Sequence, residues 1–162
     1  MNRSPGISVI MPVYNGEKFL KEAVESILNQ TFKDFEFLIV YDESTDETLS
    51  IIQGFQEQDE RVVLINGDKE GISGALNKGI EKARGKYIAR LDADDISLPT
   101  RFETQINHME SLGLDICGGH SLLIDSDGKV NGIGVVPRSH DLCGLSMMFM
   151  VPFAHSSVMI LK

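Results

Sequence analysis

Glycine-rich phosphate loops are absent from this sequence. No Gly-x-Gly-x-x-Gly follows the first apolar run, no Gly-Lys-Ser or Gly-Lys-Thr loop occurs, and Gly71-Ile72-Ser73-Gly74 is only a short match at the start of a helical pattern. Such loops hold the phosphates in nicotinamide dehydrogenases and P-loop ATPases, so both classes are disfavoured. A diphosphate bound here would need a metal ion for most of its recognition.

Basic residues are scarce as well. The 162 residues include 15 Lys and Arg against 24 Asp and Glu, which leaves a formal net charge of −9. A groove that binds nucleic acid needs clustered cations, so we expect no nucleic-acid partner. An acidic protein can still bind one phosphorylated ligand where a bound cation supplies positive charge locally.

Cysteines and long apolar runs are few. Cys117 and Cys143 are too far apart for a Cys-x-x-Cys pair, which favours two buried, reduced thiols. No signal peptide precedes the first apolar run, and no apolar stretch reaches the roughly 20 residues that span a bilayer. We therefore expect a cytoplasmic protein. Residues 142–154, the richest apolar segment, are predicted to be buried core or a substrate-side loop, with peripheral contact at the inner face of the membrane as the alternative.

Short runs of apolar, largely β-branched residues recur in the first half of the chain. They span residues 7–11, 35–40, 62–65 and 87–91. Their continuous hydrophobicity is typical of strands covered on both faces. Helical spacing of apolar residues predicts helices over 19–28, 49–55, 72–83 and from Pro99 onward. This order predicts an α/β fold, an open, mostly parallel twisted sheet with helices on both faces.

The second half is predicted to add mixed strands to the same single domain. The pattern indicates a strand over 114–117, a hairpin of 121–124 with 130–136, a short helix over 141–150 and a last strand over 157–161. Ser44, followed three residues later by Glu47, predicts a capping box for the second helix.

Acidic side chains follow the fourth predicted strand. Asp92, Asp94 and Asp95 lie within four residues, and like charges so close repel one another. A Mg²⁺ or Mn²⁺ ion shared with substrate phosphates relieves this repulsion. The alternative is an acidic loop that caps the helix that follows. Because ligands bind beyond the carboxyl ends of parallel strands, the position favours a metal site.

Two further candidates follow the first and second strands. Asp42 could accept a hydrogen bond from the ring N–H of a pyrimidine base, or it could cap the next helix. Tyr14 could stack on the base, or it could be a half-buried loop aromatic. Parallel strands bring both residues to the rim that carries the acidic cluster.

Five segments together resemble the family 2 glycosyltransferases, which have the GT-A fold, a Rossmann-like nucleotide-sugar-binding fold. The resemblance covers essentially the whole chain and is carried by residues 8–16, 26–32, 42–46, 75–80 and 85–95. It implies that the nucleotide-sugar is bound by Pro12, Tyr14, Asp42, Asn77, Asp92 and Ala93. It also implies that Asp94, with Asp92 near it, holds Mn²⁺ or Mg²⁺.

The resemblance implies an activity. A sugar would pass with inversion from a nucleotide-sugar donor to a hydroxyl of a carbohydrate or lipid-linked acceptor, in surface polysaccharide or glycolipid synthesis. Asp42 and Tyr14 favour a UDP-linked donor, with dTDP and GDP sugars left open. The metal would act as a Lewis acid on the leaving nucleoside diphosphate, and a carboxylate would act as base on the acceptor.

The sequence departs from the family pattern in two places that affect the implied activity. Tyr41 and Glu43 stand where the family commonly has an acid and a glycine. No suitable acid follows His155, whose own side chain is predicted to be bonded locally, so the base is expected beyond Lys162. We therefore expect a truncated glycosyltransferase domain, with residues 1–98 binding the nucleotide-sugar and 99–162 beginning the acceptor-side half. A donor-binding module without turnover, part of a larger enzyme, is the alternative.

Overall fold

The computed structural model describes residues 4–162, in which strands and helices alternate before a mixed C-terminal part. The elements are β1 (Ile7–Val13), α1 (Leu20–Leu28), β2 (Phe35–Tyr41), α2 (Thr48–Gln58), β3 (Val62–Asn66), α3 (Gly71–Lys82), β4 (Tyr87–Arg90), α4 (Arg101–Leu112), β5 (Ile116–Cys117), β6 (Ser121–Ile124), β7 (Val130–Gly134), α5 (His140–Ser146), a 3-10 turn (His155–Ser157) and β8 (Met159–Leu161).

Six of these strands form one sheet in the order β3-β2-β1-β4-β8-β5. The strands β3, β2, β1 and β4 are parallel, and β8 is antiparallel to both of its neighbours. β6 and β7 form a separate antiparallel hairpin. The prediction of a mostly parallel sheet with mixed strands toward the C-terminus is confirmed. Both predicted halves of the domain contribute to this one sheet.

Apolar side chains cover both faces of the sheet. In β1, Val9 and Met11 belong to a large core that includes residues of α1, α2 and α4. Ile10 belongs to a smaller core on the other face, which includes Ala75 of α3. A Cβ atom on Gly79 of α3 would lie 2.5 Å from the Ile10 side chain, so glycine lets this helix pack closely on β1. Helices therefore lie on both faces, as predicted.

Two predictions about helix starts are wrong, the capping box of the second helix and Pro99 as a first helical position. α2 begins at Thr48, and its N-cap, Glu47, makes no side-chain capping bond, so the capping box does not form. Ser44 Oγ instead accepts a hydrogen bond from a neighbouring loop. α4 begins at Arg101 rather than Pro99, because the Pro99 carbonyl accepts a bond from the Thr31 N–H.

The C-terminal elements are shorter than predicted. The fifth strand has only two residues, α5 ends at Ser146, and the last strand begins at Met159 after a 3-10 turn. The prediction of buried core for residues 142–154 is wrong, since Phe149 is 81% exposed and its Met neighbours are exposed too. Across residues 4–162, no helix combines the length and the hydrophobicity that crossing a bilayer requires.

A buried carboxylate lies near the amino ends of β1 and β2, at the opposite end of these strands from the predicted site. Glu36, 5% exposed, accepts hydrogen bonds from Ser8 Oγ (2.6 Å) and the Arg84 N–H (2.7 Å) and pairs with the Arg84 guanidinium (2.6 Å). Burial acts to raise the pKa of the Glu36 carboxyl, but these hydrogen bonds and the Arg84 charge outweigh it and hold the pKa below its usual value.

We predict that Glu36→Gln destabilises the fold most at neutral pH. The contribution of a carboxylate with a lowered pKa is fully present above the unfolded value of about 4.3 and is lost as pH falls through the lower folded value. The expected loss at pH 7 is about 1.5 kcal/mol, the low end for bonds to a charged group, because Arg84 is largely exposed. Urea unfolding of both proteins at pH 7 and pH 3.5 measures it.

The matched control is Glu110→Gln, which removes an exposed carboxylate paired with Lys86. Exposed pairs contribute little, so this variant should unfold like the unaltered chain at both pH values. A loss for Glu36→Gln that is equally large at pH 3.5 and pH 7 contradicts the prediction.

Candidate functional site

A cavity of about 580 Å³ opens between the loops that follow β1 and β4. Its lining includes six of the seven residues that the sequence nominates: Pro12, Tyr14, Asp42, Asp92, Ala93 and Asp94. The other lining residues, which sequence reasoning did not single out, are Val13, Asn15, Gly16, Phe19, Gly71, Ile72 and Ala75. Asn77 is exposed on α3 outside this lining, so its role stays a prediction.

The cavity lies at the point where the strand order reverses. β1 pairs with β2 on one side and with β4 on the other, so the chain leaves the sheet in two directions from this pair. In open α/β sheets this is where the crevice for a ligand forms.

Hydrogen bonds hold the loop after β1 to the loop after β2. The Asn15 N–H donates to Ser44 Oγ (3.0 Å), and Asn15 Oδ1 accepts from the Thr45 N–H (2.9 Å). Asn15 has a φ of 48°, a left-handed conformation that asparagine tolerates better than most residues. We name this reciprocal contact of Asn15, Ser44 and Thr45 the loop clamp.

A second set of bonds extends this attachment. The Gly16 N–H donates to Thr48 Oγ1 (2.8 Å), and the Glu17 N–H donates to Asp46 Oδ2 (3.1 Å). The Thr48 hydroxyl and the Glu17 and Thr48 N–H groups together hold the pKa of Asp46 below its usual value. The segment that resembled a capping box therefore supports the neighbouring loop.

Arginines neutralise part of the acidic cluster. Arg90 Nη2 lies 2.8 Å from Asp92 Oδ1, and its Nε donates to the same oxygen. Arg101 is close enough to Asp95 for their charges to attract, although burial lowers the pKa of Arg101 to about 10. The repulsion expected among the three acids is thus relieved partly within the protein.

Asp94 is the exposed acid of this cluster and has no partner among the residues that the structure describes. Its carboxylate is exposed and has no hydrogen bond or ion pair with any of residues 4–162. The helix-cap alternative is wrong, because α4 begins seven residues later and its cap, Thr100, makes no side-chain bond.

The residues present fit a hard divalent ion only together with ligand oxygens. Within the described chain, no group of three or more His, Cys, Asp or Glu side chains is placed to hold a metal by itself. Asp94 is free, and both Arg90 contacts of Asp92 fall on Oδ1, which leaves Oδ2. One or two carboxylates completed by phosphate oxygens and water form a common Mg²⁺ site.

A buried amide supports the segment that follows the cluster. Gln30, fully buried, donates from Nε2 to Ser97 Oγ (3.1 Å) and to the Leu98 carbonyl (2.8 Å). Its Oε1 accepts from the Phe102 N–H (3.2 Å). Residues 97–102 are thereby fixed to the end of α1. Sequence reasoning missed this role, and the signal for it was a polar residue within the motif at 26–32.

Asp42 and Tyr14 line the same cavity as Asp92 and Asp94. Asp42 Oδ1 accepts from the Lys69 N–H (3.2 Å), and α2 begins at Thr48, so the helix-cap alternative for Asp42 is wrong. Tyr14 is 63% exposed, so the half-buried alternative is wrong too and its ring is open to a ligand. The exposed residue His155 is not part of the lining.

Tyr41 and Glu43, the residues that depart from the family pattern, each bind a neighbouring residue. The Tyr41 hydroxyl accepts from the Ser44 N–H (3.0 Å), and Glu43 pairs with the Lys69 ammonium. The loop after β2 is therefore braced by different side chains, and Asp42 still lines the cavity.

The sheet order and the cavity define an open α/β protein with its ligand crevice at the carboxyl ends of the strands. The family model described as glycosyl transferase family 2 matches residues 8–148, and the chain belongs to that family. It is 44% identical over 130 residues to an uncharacterised glycosyltransferase of Methanocaldococcus jannaschii, covering 78% of this chain and 45% of that protein. It is 41% identical over 125 residues to the glycosyltransferase GlyG of Streptococcus pneumoniae, covering 76% and 42%. The chain thus spans about half the length of these relatives.

Solved structures confirm the GT-A fold. The chain resembles S. aureus TarS 1–349 bound to UDP-GlcNAc, with 27% identity and a TM-score of 0.58 over 68% of this chain and 32% of that one. It also resembles the mannosyltransferase PcManGT of Pyrobaculum calidifontis bound to GDP-Man and Mn²⁺, with 26% identity and a TM-score of 0.60 over 76% and 37%.

We predict that Asn15→Ala destabilises the protein more than Asn15→Gly. Both variants lose the bond to the Thr45 N–H, but only alanine is strained at a positive φ, by about 1 kcal/mol relative to glycine. Urea unfolding of the two variants measures the difference. Equal stabilities would show that the loop clamp does not impose the left-handed conformation.

Proposed function

We propose that this chain binds the donor of a metal-assisted, inverting glycosyltransferase, with UDP as the nucleotide. The observation that carries the proposal is the single cavity lined by Tyr14, Asp42 and Asp94. It combines an exposed ring, a carboxylate oriented by one neighbouring N–H and a second, unpaired carboxylate. The ring would stack on the nucleobase, and the first carboxylate would accept a hydrogen bond from it. The second carboxylate would hold the cation of the diphosphate.

The cavity suits a nucleotide laid across the rim. The Tyr14 ring and Pro12 would contact the nucleoside, and Asp42 would accept the imide N–H of the base. Asp92, held by Arg90, would lie near the ribose, beside the backbone of Ala93. The structures of TarS with UDP and with UDP-GlcNAc support the choice of a UDP-linked donor.

Asp94, with the free oxygen of Asp92, would hold Mn²⁺ or Mg²⁺ against the diphosphate. The bound ion supplies charge neutralisation for the departing nucleoside diphosphate. The role of the chain itself is to place one exposed carboxylate beside the diphosphate while arginines neutralise its neighbours. The fold offers no glycine-rich loop for the phosphates, so the cation is the main source of positive charge.

The sugar would pass to a hydroxyl of a carbohydrate or lipid-linked acceptor in surface polysaccharide or glycolipid synthesis. The acceptor would approach from the side of residues 118–156, which lie between β5 and β8. The exposed side chains of residues 147–150 would suit a peripheral contact with the inner face of a membrane. No residue that lines the cavity is proposed as the base for the acceptor hydroxyl.

We predict that UDP binds this chain much more tightly with Mn²⁺ than without it, and that Asp94→Ala abolishes the difference. Removal of the unpaired carboxylate leaves the ion without its main protein ligand. Titration calorimetry with UDP, with and without Mn²⁺, measures both effects. The expected loss in the presence of Mn²⁺ is at least roughly tenfold in Kd, since even the loss of an outer-shell partner of a metal costs about tenfold or more.

The matched control is Asp127→Ala, which removes the same charge from an exposed turn between β6 and β7. It should bind UDP like the unaltered chain. A Kd of UDP that does not depend on Mn²⁺, or that is unchanged in Asp94→Ala, contradicts the metal-bridged arrangement.

A hydrolysis assay distinguishes an enzyme from a binding module. If the chain contributes catalysis by itself, UDP-sugar incubated with the protein and Mn²⁺ should release UDP faster than it does with Asp94→Ala. Release at the rate of that variant favours the alternative, a donor-binding module that needs further residues for turnover. The calorimetry and this assay together separate binding from chemistry.

A further inference from the structure

Gly67 lies against the carboxylate of Asp42, the residue proposed to bind the nucleobase. Gly67 follows β3 directly, and its N–H donates to the Tyr41 carbonyl (2.7 Å). A Cβ atom at this position would lie 2.0 Å from Asp42 Oδ1 and 2.9 Å from its Cγ. Real Cβ atoms do not come so close to another heavy atom. The observed position of the Asp42 carboxylate therefore requires the absence of a side chain at Gly67.

The same turn contributes a hydrogen bond to that oxygen. The Lys69 N–H donates to Asp42 Oδ1 (3.2 Å) from a residue whose φ is 59°. The Lys69 side chain is drawn toward Glu43, with which it forms an ion pair. One oxygen of Asp42 is thus occupied by the backbone of the β3–α3 turn, and Oδ2 remains for a ligand.

We propose that Gly67 is a positioning residue for nucleobase recognition, because it makes room for the Asp42 carboxylate that the Lys69 N–H then orients. The inference rests on the proposed function and adds a determinant of base preference to it. A carboxylate held in one orientation accepts the N3–H of uracil. It faces a lone pair at N3 of cytosine, which is unfavourable. The arrangement therefore selects UDP over CDP.

The backbone conformation at position 67 does not require a glycine. The glycines with a positive φ are Gly71, Gly113 and Gly128 among the residues described, and Gly67 is not one of them. The severe contact of an added Cβ is with the Asp42 side chain, whereas the nearest backbone atom, the Tyr41 carbonyl oxygen, lies at 3.2 Å. A side chain at position 67 would accordingly displace the carboxylate before it disturbed the sheet.

The test compares UDP and CDP binding in the presence of Mn²⁺ for Gly67→Ala, Asp42→Ala and the double variant. Gly67→Ala is expected to weaken UDP roughly tenfold to a hundredfold, the effect of losing one bond to a charged group, and to remove the preference over CDP. Asp42→Ala should do the same. The double variant should lose no more than either single variant, because both changes remove one shared contact.

The matched control is Gly54→Ala in α2, where an added Cβ meets no atom within 4 Å. It should keep the affinity and the base preference of the unaltered chain. If Gly67→Ala folds poorly, thermal unfolding of all variants still tests the proposal. Removal of the Asp42 carboxylate relieves the clash, so the double variant should be more stable than Gly67→Ala.

Distinct outcomes overturn distinct claims. If the unaltered chain binds no UDP, the proposed function fails and this inference fails with it. If the unaltered chain prefers UDP and Asp42→Ala loses that preference while Gly67→Ala retains it, the inference alone is wrong. Fully additive losses in the double variant, or a double variant no more stable than a poorly folded Gly67→Ala, also overturn it.

Discussion

Strand β1 is hydrogen-bonded to β2 along one edge and to β4 along the other, and the candidate site depends on this double pairing. Ile7 is in register with Phe35 on one side and with Tyr87 on the other. Gly85 permits the second pairing, because a Cβ atom there would lie 2.4 Å from the Ser8 backbone nitrogen. The loops that leave β1 and β4 therefore begin side by side, and the cavity opens between them.

Charge around this cavity is distributed so that one carboxylate is left over. Arg90 pairs with Asp92, so the mutual repulsion of three neighbouring acids is reduced. Asp94 stays exposed and unpaired among the residues described. The Asp94 carboxylate is therefore the one that the proposed divalent ion would use.

The rim of the cavity is held by contacts between loops. The loop clamp joins positions about 30 residues apart, and Gln30 joins the end of α1 to residues 97–102. On the base side, Gly67 and the Lys69 N–H set the position of Asp42. The loops that carry Tyr14 and Asp42 are thus supported by neighbouring turns, which limits the reorganisation that binding would require.

The sequence by itself determined the four parallel strands, the helices between them and the residues at the rim. Strands buried on both faces have continuous apolar runs, and parallel strands place their carboxyl ends at one edge, so local patterns were sufficient for Tyr14, Asp42 and Asp94. Only the tertiary structure decided how those residues are held. The partners of Asn15, Gln30 and Gly67 are distant along the chain, and a motif such as 44–47 looks the same whether it caps its own helix or binds another loop. Hydrogen bonds of this kind depend on which turns the folded sheet brings together, and spacing along the sequence does not record that.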